Sequence, residues 1–396
     1  MPYNIFYLSK LRESKAILEA LIKRKVINEL PEWAEIHSKS GAQKPFLEPF
    51  VFTYFNYGNR SKNLLRQILY GYMPAKQRYK KLELVTNSEG VAYLPNFGYL
   101  KTGRGSSKIL IASSKSYTLR GANGKAVDSV FQAAATIPNS RVELIIRRNL
   151  LCDQIFEKLG KLSNIAERVE VDENPEAYVP YIEGALRLIK KFSPQQYAEI
   201  DELLMKMAII KAKRVIAFTE IETNGAIFIR PRGYDKELFF AEHIIHEVSH
   251  MTLNLILLDP KEYFAIDPFQ NRFSSPFRAD ERGAFQVLQA VFVLARIASF
   301  FNILIKRKAY KSELEQYELI GRLVSKIDKL EQGLGYINSR SIYTAKGYNL
   351  YKSLQHVKEK VKSENRLLLQ KYKRKGQGNE FDLQKFLSEN SVRLKT

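Results

Sequence analysis

Residues 234–258 read YDKELFFAEHIIHEVSHMTLNLILL, and this stretch decides how the rest of the chain is understood. It contains neither Gly nor Pro, and Ile244, Ile245, Val248, Leu253 and Leu257 give it an apolar surface at helical spacing. On a helix, His246 and His250 of the HEVSH segment lie one turn apart and face the same way. Both imidazoles can then reach one metal, with Glu247 at the edge of that face. Two core histidines satisfied by ordinary hydrogen bonds would produce the same letters. The scarcity of His favours the metal: only His37 and His356 lie outside this helix. His243, one turn before His246, is a further ligand, a supporting donor, or a packed neighbour.

Two imidazoles make an incomplete site, so another protein ligand is expected from the next buried element. The segment 273–285, FSSPFRADERGAF, places Asp280 and Glu281 where a helix of about 280–306 is expected to begin. Either carboxylate could bind a metal, and either could simply favour the helix N-terminus. Arg278 and Arg282 bracket the pair. If both were helical they would share one face and could hold an anionic co-substrate with planar, two-pronged hydrogen bonding; internal ion pairing with Asp280, Glu281 or Glu247 is the alternative. Gln289 stands in an apolar run (VLQAVFVLA) and needs a polar partner there. It either touches the metal site or caps a backbone group.

Working outward, the fold expected is α+β and mainly helical. The HExxH helix is preceded by a short β-hairpin, VIAFTE and AIFIRP around Asn224-Gly225, residues that tolerate positive φ. Residues 193–213, SPQQYAEIDELLMKMAIIKAK, begin with Ser then Pro and read as one helix. Helices are also expected over 9–27, 61–73 and 310–372, and strands over KILIAS and RVELIIRR. A soft boundary near 171–180 suggests a mixed α/β N-terminal region, 1–175, able to recognise a peptide. It is followed by a metal-binding domain, 176–306, C-terminal helices, 307–372, and a polar tail, 373–396. No 20–50-residue repeat argues for a solenoid.

Composition closes off other classes. The chain has 396 residues, is 45% hydrophobic and 12% aromatic, and carries a net charge of +21. The aromatic content excludes global disorder. A single cysteine, Cys152, excludes an internal disulfide framework and a Cys-based zinc finger. No unbroken apolar run reaches the roughly 18 residues of a membrane span, and no signal-peptide core is present, so a cytoplasmic location is expected. The basic residues are spread along the chain without a zinc-finger, RRM-like or basic-zipper pattern, which argues against nucleic acid. The charge excess is a solvated surface or attracts an acidic partner.

From Glu183 to Phe301 the order of parts resembles the HExxH-domain peptide-modification family associated with ribosomally made, post-translationally modified peptides. The elements carrying the resemblance are EGALRLIKKFSPQQYAEIDELLMKM, then NGAIFIRP, then AEHIIHEVSHMTLNLIL, and last SSPFRADERGAFQVLQAVFVLARIASF, which is similar to the family's Arg-x-Asp-x-Arg segment. Phe277 and Gly283 stand where the family usually has Trp and Pro. The resemblance implies an iron(II)- and 2-oxoglutarate-dependent hydroxylase acting on a peptide β-carbon. His246, His250 and Asp280 would be metal ligands, and Arg278 and Arg282 the arginines beside them. The partners it implies are a peptide substrate and an acidic leader peptide.

Two His and a carboxylate leave iron positions open for co-substrate and O₂. The competing chemistry is a zinc metallopeptidase, with Glu247 as general base and Glu281 as the last ligand. A non-catalytic peptide-binding protein that keeps the helix as scaffold is the remaining class.

Overall fold

The computed structural model describes residues 5–392 apart from 39–44, 58–60, 104–107, 113–116, 122–123, 163–166, 271, 275–280, 375–376 and 379. The protein is α+β and mainly helical. It divides into two compact units, Lys15–Glu183 with Leu203–Tyr234, and Met1–Ser14 with Gly184–Glu202 and Asp235–Thr396.

The first of these holds the sheets. At its centre, Lys206–Lys211 runs parallel to Ala226–Ile229 on one side and to Glu143–Ile145 on the other. Ala217–Phe218 adds to Ala226–Ile229 antiparallel, with Phe218 opposite Phe228. A strand buried on both faces shows no polar alternation, and MAII of Lys206–Lys211 is fully buried. That is why 206–211 departs from the single helix expected over 193–213: the helix is Pro194–Leu203, and β-branched Ile209 and Ile210 pack in the sheet. At the expected turn, only Gly225 takes a positive φ, +102°, while Asn224 stays at −51°. Ala135–Thr136 pairs antiparallel with Glu143–Ile145, and Glu170–Val171 antiparallel with Lys206–Lys211. There are also two antiparallel three-stranded sheets: Lys81–Leu84, Lys108–Ala112 and Tyr117–Gly121, and Val91–Leu94, Gly98–Thr102 and Ser129–Ala133.

Lys206 is fully buried under this sheet. Its Nζ meets Glu143 Oε2 at 2.5 Å and Glu48 Oε2 at 3.3 Å, and Tyr93 donates to Glu143 at 2.7 Å. Burial alone would push the ammonium's pKa down; the two carboxylates hold it above its ordinary value. Such a cluster persists only because every member is partnered.

The other unit is built from helices. The histidine helix is Glu237–Ile256. It packs on Ala284–Lys306, which also packs on Glu313–Tyr336 and Ala345–Glu364. Neighbours on several sides explain why Ala284–Lys306 is apolar nearly all round. Among the described residues it is the one helix long and apolar enough to cross a membrane, with a mean hydropathy of 1.9, although polar residues interrupt its apolar run; 72% of that apolar window is buried inside the protein. On the same helix, Arg296 is buried against Glu199, Nη2 to Oε2 at 2.5 Å.

Candidate metal centre

His246 and His250 stand side by side on the histidine helix, ring centroids 4.9 Å apart and planes 56° from parallel. That spacing lets one nitrogen of each share an ion at the roughly 2.0–2.1 Å reach of an imidazole ligand. Both rings are partly buried. Burial holds His250 down to about 4, opposed by a hydrogen bond with Gln289, and holds His246 well below the ordinary range, with His250 and His243 adding to the effect. Neutral imidazoles are the form a metal needs.

Gln289 reaches this pair from the apolar helix. Its Nε2 donates to Asn254 Oδ1 at 3.0 Å while the amide also bonds His250. Of the two roles open to Gln289 in the sequence, the structure therefore shows contact with the histidine helix. Asn254, one turn beyond His250, is the partner that the sequence reading passed over. An amide between two apolar helices has to be satisfied, and that requirement is the signal that could have found it.

His243 lies against Phe239, ring centroids 4.3 Å apart, and 6.3 Å from His246. Burial lowers it to about 4, against the pull of Glu242. Glu242, also missed from sequence, is buried and pairs with Arg322 at 2.6 Å and with Lys326. Arg322 in turn holds Glu318 at 2.7 Å. The two cations pull Glu242 well below the usual carboxylate range despite its burial. A Glu in an apolar helix was itself the clue, since a buried carboxylate requires partners.

Glu247 is buried on the histidine helix. The following helix starts at Ala284 with Gly283 as its N-cap, later than the expected Asp280. Arg282 precedes that helix in an extended bridge with Phe273, donating its N–H to Phe273 O at 2.8 Å and accepting the Phe273 N–H at 3.0 Å. The helical placement expected for Arg282 is therefore not adopted, because the strand-like bridge takes its backbone before the helix begins. Gly283 follows under the Pro268 carbonyl, where a Cβ would come within 2.3 Å, so no larger residue fits there without movement. Glu281 is exposed. Arg278 and Asp280 lie outside the described residues.

The imidazole pair suits a metal in its donor chemistry: two neutral nitrogens, one held by a supporting amide. Among the described residues no third His, Cys, Asp or Glu joins them. Glu281, Glu247 and His243 are thus not gathered into a ligand set. No protein-family model matches the chain, and no curated protein matches it in sequence.

Proposed function

We propose that the chain is an iron(II)- and 2-oxoglutarate-dependent hydroxylase that acts on a C–H bond, at the β-carbon, of a ribosomally made peptide. The observation that carries this reading is the pair of adjacent imidazoles of His246 and His250, one turn apart with ring centroids 4.9 Å from each other, one of them supported by Gln289. His246 and His250 would hold the iron together with Asp280. When bound, iron with O₂ and 2-oxoglutarate supplies the oxidation: one oxygen atom enters the peptide C–H bond, the other leaves in succinate, and carbon dioxide is released.

The chain's own residues have simpler tasks. The amide of Gln289 sets the orientation of the His250 ring, and Asn254 sets the amide. Glu242, Arg322 and Lys326 anchor the histidine helix beneath the rings. An arginine, Arg278 or Arg282, would receive the distal carboxylate of 2-oxoglutarate, because an anion removed from water needs a fixed cation. The exposed Glu281 gives the peptidase reading no third ligand among the described residues.

The test is the mass of a candidate peptide encoded beside the gene. Incubation with the chain, iron(II), ascorbate and 2-oxoglutarate should make it heavier by one oxygen atom. Cleavage by the zinc-loaded chain without 2-oxoglutarate would replace this reading with the metallopeptidase. Arg→Lys at the true co-substrate anchor should weaken 2-oxoglutarate about tenfold to a hundredfold, from the roughly 1.5–3 kcal/mol of a charge-assisted pair.

A further inference from the structure

A pocket of about 810 Å³ opens within the helical unit, where the ends of Val179–Phe192 and Ala284–Lys306 meet the last turns of Ala345–Glu364. Phe192, Ile303 and Val357 supply apolar lining. Lys191, Lys306, Arg307 and Lys360 line it as well, four cations against the one carboxylate of Glu364. That carboxylate is already engaged, by Lys306 at 2.9 Å and Asn302 at 2.6 Å. The volume is that of a ligand site. The cations come from three separate helices and outnumber the one carboxylate, so the complementary ligand is anionic, and a chain carrying several carboxylates can meet more than one of them at once. Apolar walls between the cations fit an apolar side chain between those carboxylates.

We propose that this pocket docks an acidic segment of the peptide substrate, with an apolar side chain seated between Phe192, Ile303 and Val357. The proposal rests on the peptide-modifying reading above. It also sets a distance. Gln289, which touches His250, and Ile303, which lines the pocket, lie on one continuous helix about 21 Å apart at 1.5 Å per residue. An extended peptide advances roughly 3.3 Å per residue. The residues between, Val291–Ala298, are buried, so the peptide cannot take the straight path. The docked segment therefore lies at least about six residues from the modified one.

The experiment uses the full chain without added metal and a short fluorescein-labelled peptide alternating Glu with Leu, read by anisotropy across a salt series. Binding should weaken as salt rises and fall at least about tenfold in the double variant Lys191→Glu, Lys360→Glu. Arg24→Glu with Lys80→Glu makes the same change in net charge outside the pocket and should leave binding nearly unchanged. Ser299→Trp, which fills the pocket without altering charge, should also weaken binding and serves if the charge reversals misfold. Equal losses in the two double variants would overturn the proposal, because the overall positive field would then suffice. Competitive displacement of the peptide by dodecanoate, with dodecanoate the tighter ligand, would overturn it in favour of a fatty-acid site. Failure of the hydroxylase reading is distinguished by turnover: a peptide that binds in this way yet is never oxidised removes that reading and leaves the docking site. A peptide that is oxidised with an unchanged KM in the Lys191→Glu, Lys360→Glu variant removes the docking site alone.

Discussion

Gln289 donates its Nε2–H to Asn254 Oδ1 at 3.0 Å, joining the apolar helix to the histidine helix one turn past His250. The same amide is a partner of His250, so the ring is supported from a second helix. Supporting partners of this kind typically change metal affinity tenfold to a hundredfold when removed. Gln289→Leu should therefore weaken iron(II) or zinc binding by about that factor, measured by calorimetric titration. The fold should survive with a loss of about 1–3 kcal/mol, since Asn254 and His250 lose a partner. Unchanged metal affinity would make Gln289 a packing residue.

His246→Ala and His250→Ala should each abolish metal retention after gel filtration, while circular dichroism and thermal unfolding stay close to wild type. The helix is held by its buried apolar residues, among them Ile244, Ile245, Val248 and Leu253, and not by the imidazoles. A variant that retains stoichiometric metal would show that the pair is a core feature.

Asp280→Asn and Glu281→Gln separate the two metal chemistries. Exposed Glu281 does not join the histidines, so Glu281→Gln should leave metal content and activity near wild type. Asp280→Asn should remove both. The opposite result, read by metal analysis of the purified variants, would move the third ligand to Glu281 and favour a peptidase.

What was legible in the sequence was local. The HEVSH spacing, the unbroken apolar flank and the polar intrusion of Gln289 all lie within a few turns of helix. What was not legible depended on distant partners. Met207 to Ile210 look like more helix until Ala226–Ile229 and Glu143–Ile145 are seen on either side of them. Arg282 looks helical until Phe273 claims its backbone. Arg322 and Lys326 look like a solvated helix face, and only the return of that helix to Glu242 buries them.

That last pairing has a measurable cost. Glu242 pairs with Arg322 and with Lys326, both buried. Glu242→Gln leaves Lys326 without its anion and Arg322 with Glu318 alone, and breaking a buried pair from one side typically costs about 3–5 kcal/mol. Urea unfolding should show a loss of that order, and Glu242→Leu combined with Arg322→Met and Lys326→Leu should recover much of it. A loss below about 1 kcal/mol would place the cluster in water instead.

Lys329, one turn beyond Lys326 on Glu313–Tyr336, gives the chain a pH dependence of known sign. Its side chain is buried, with the Gly378 carbonyl 3.5 Å from Nζ. Burial, with added repulsion from Lys326 and Arg374, pushes its pKa down from 10.5 to about 7. An unfolded lysine keeps its proton up to about 10.5, so between about 7 and 10.5 the unfolded state binds more protons than the folded one. Stability contributed by this site therefore rises with pH across that window. Below it the folded protein carries a buried charge at a cost on the order of a few kcal/mol. Lys329→Met removes the group. The variant should be more stable than wild type at pH 6, by its largest margin, and the margin should shrink steadily toward pH 10. Chemical unfolding of both proteins at several pH values measures the difference directly. A margin that does not change with pH would mean that Lys329 keeps its proton when folded, held by a partner strong enough to offset its burial.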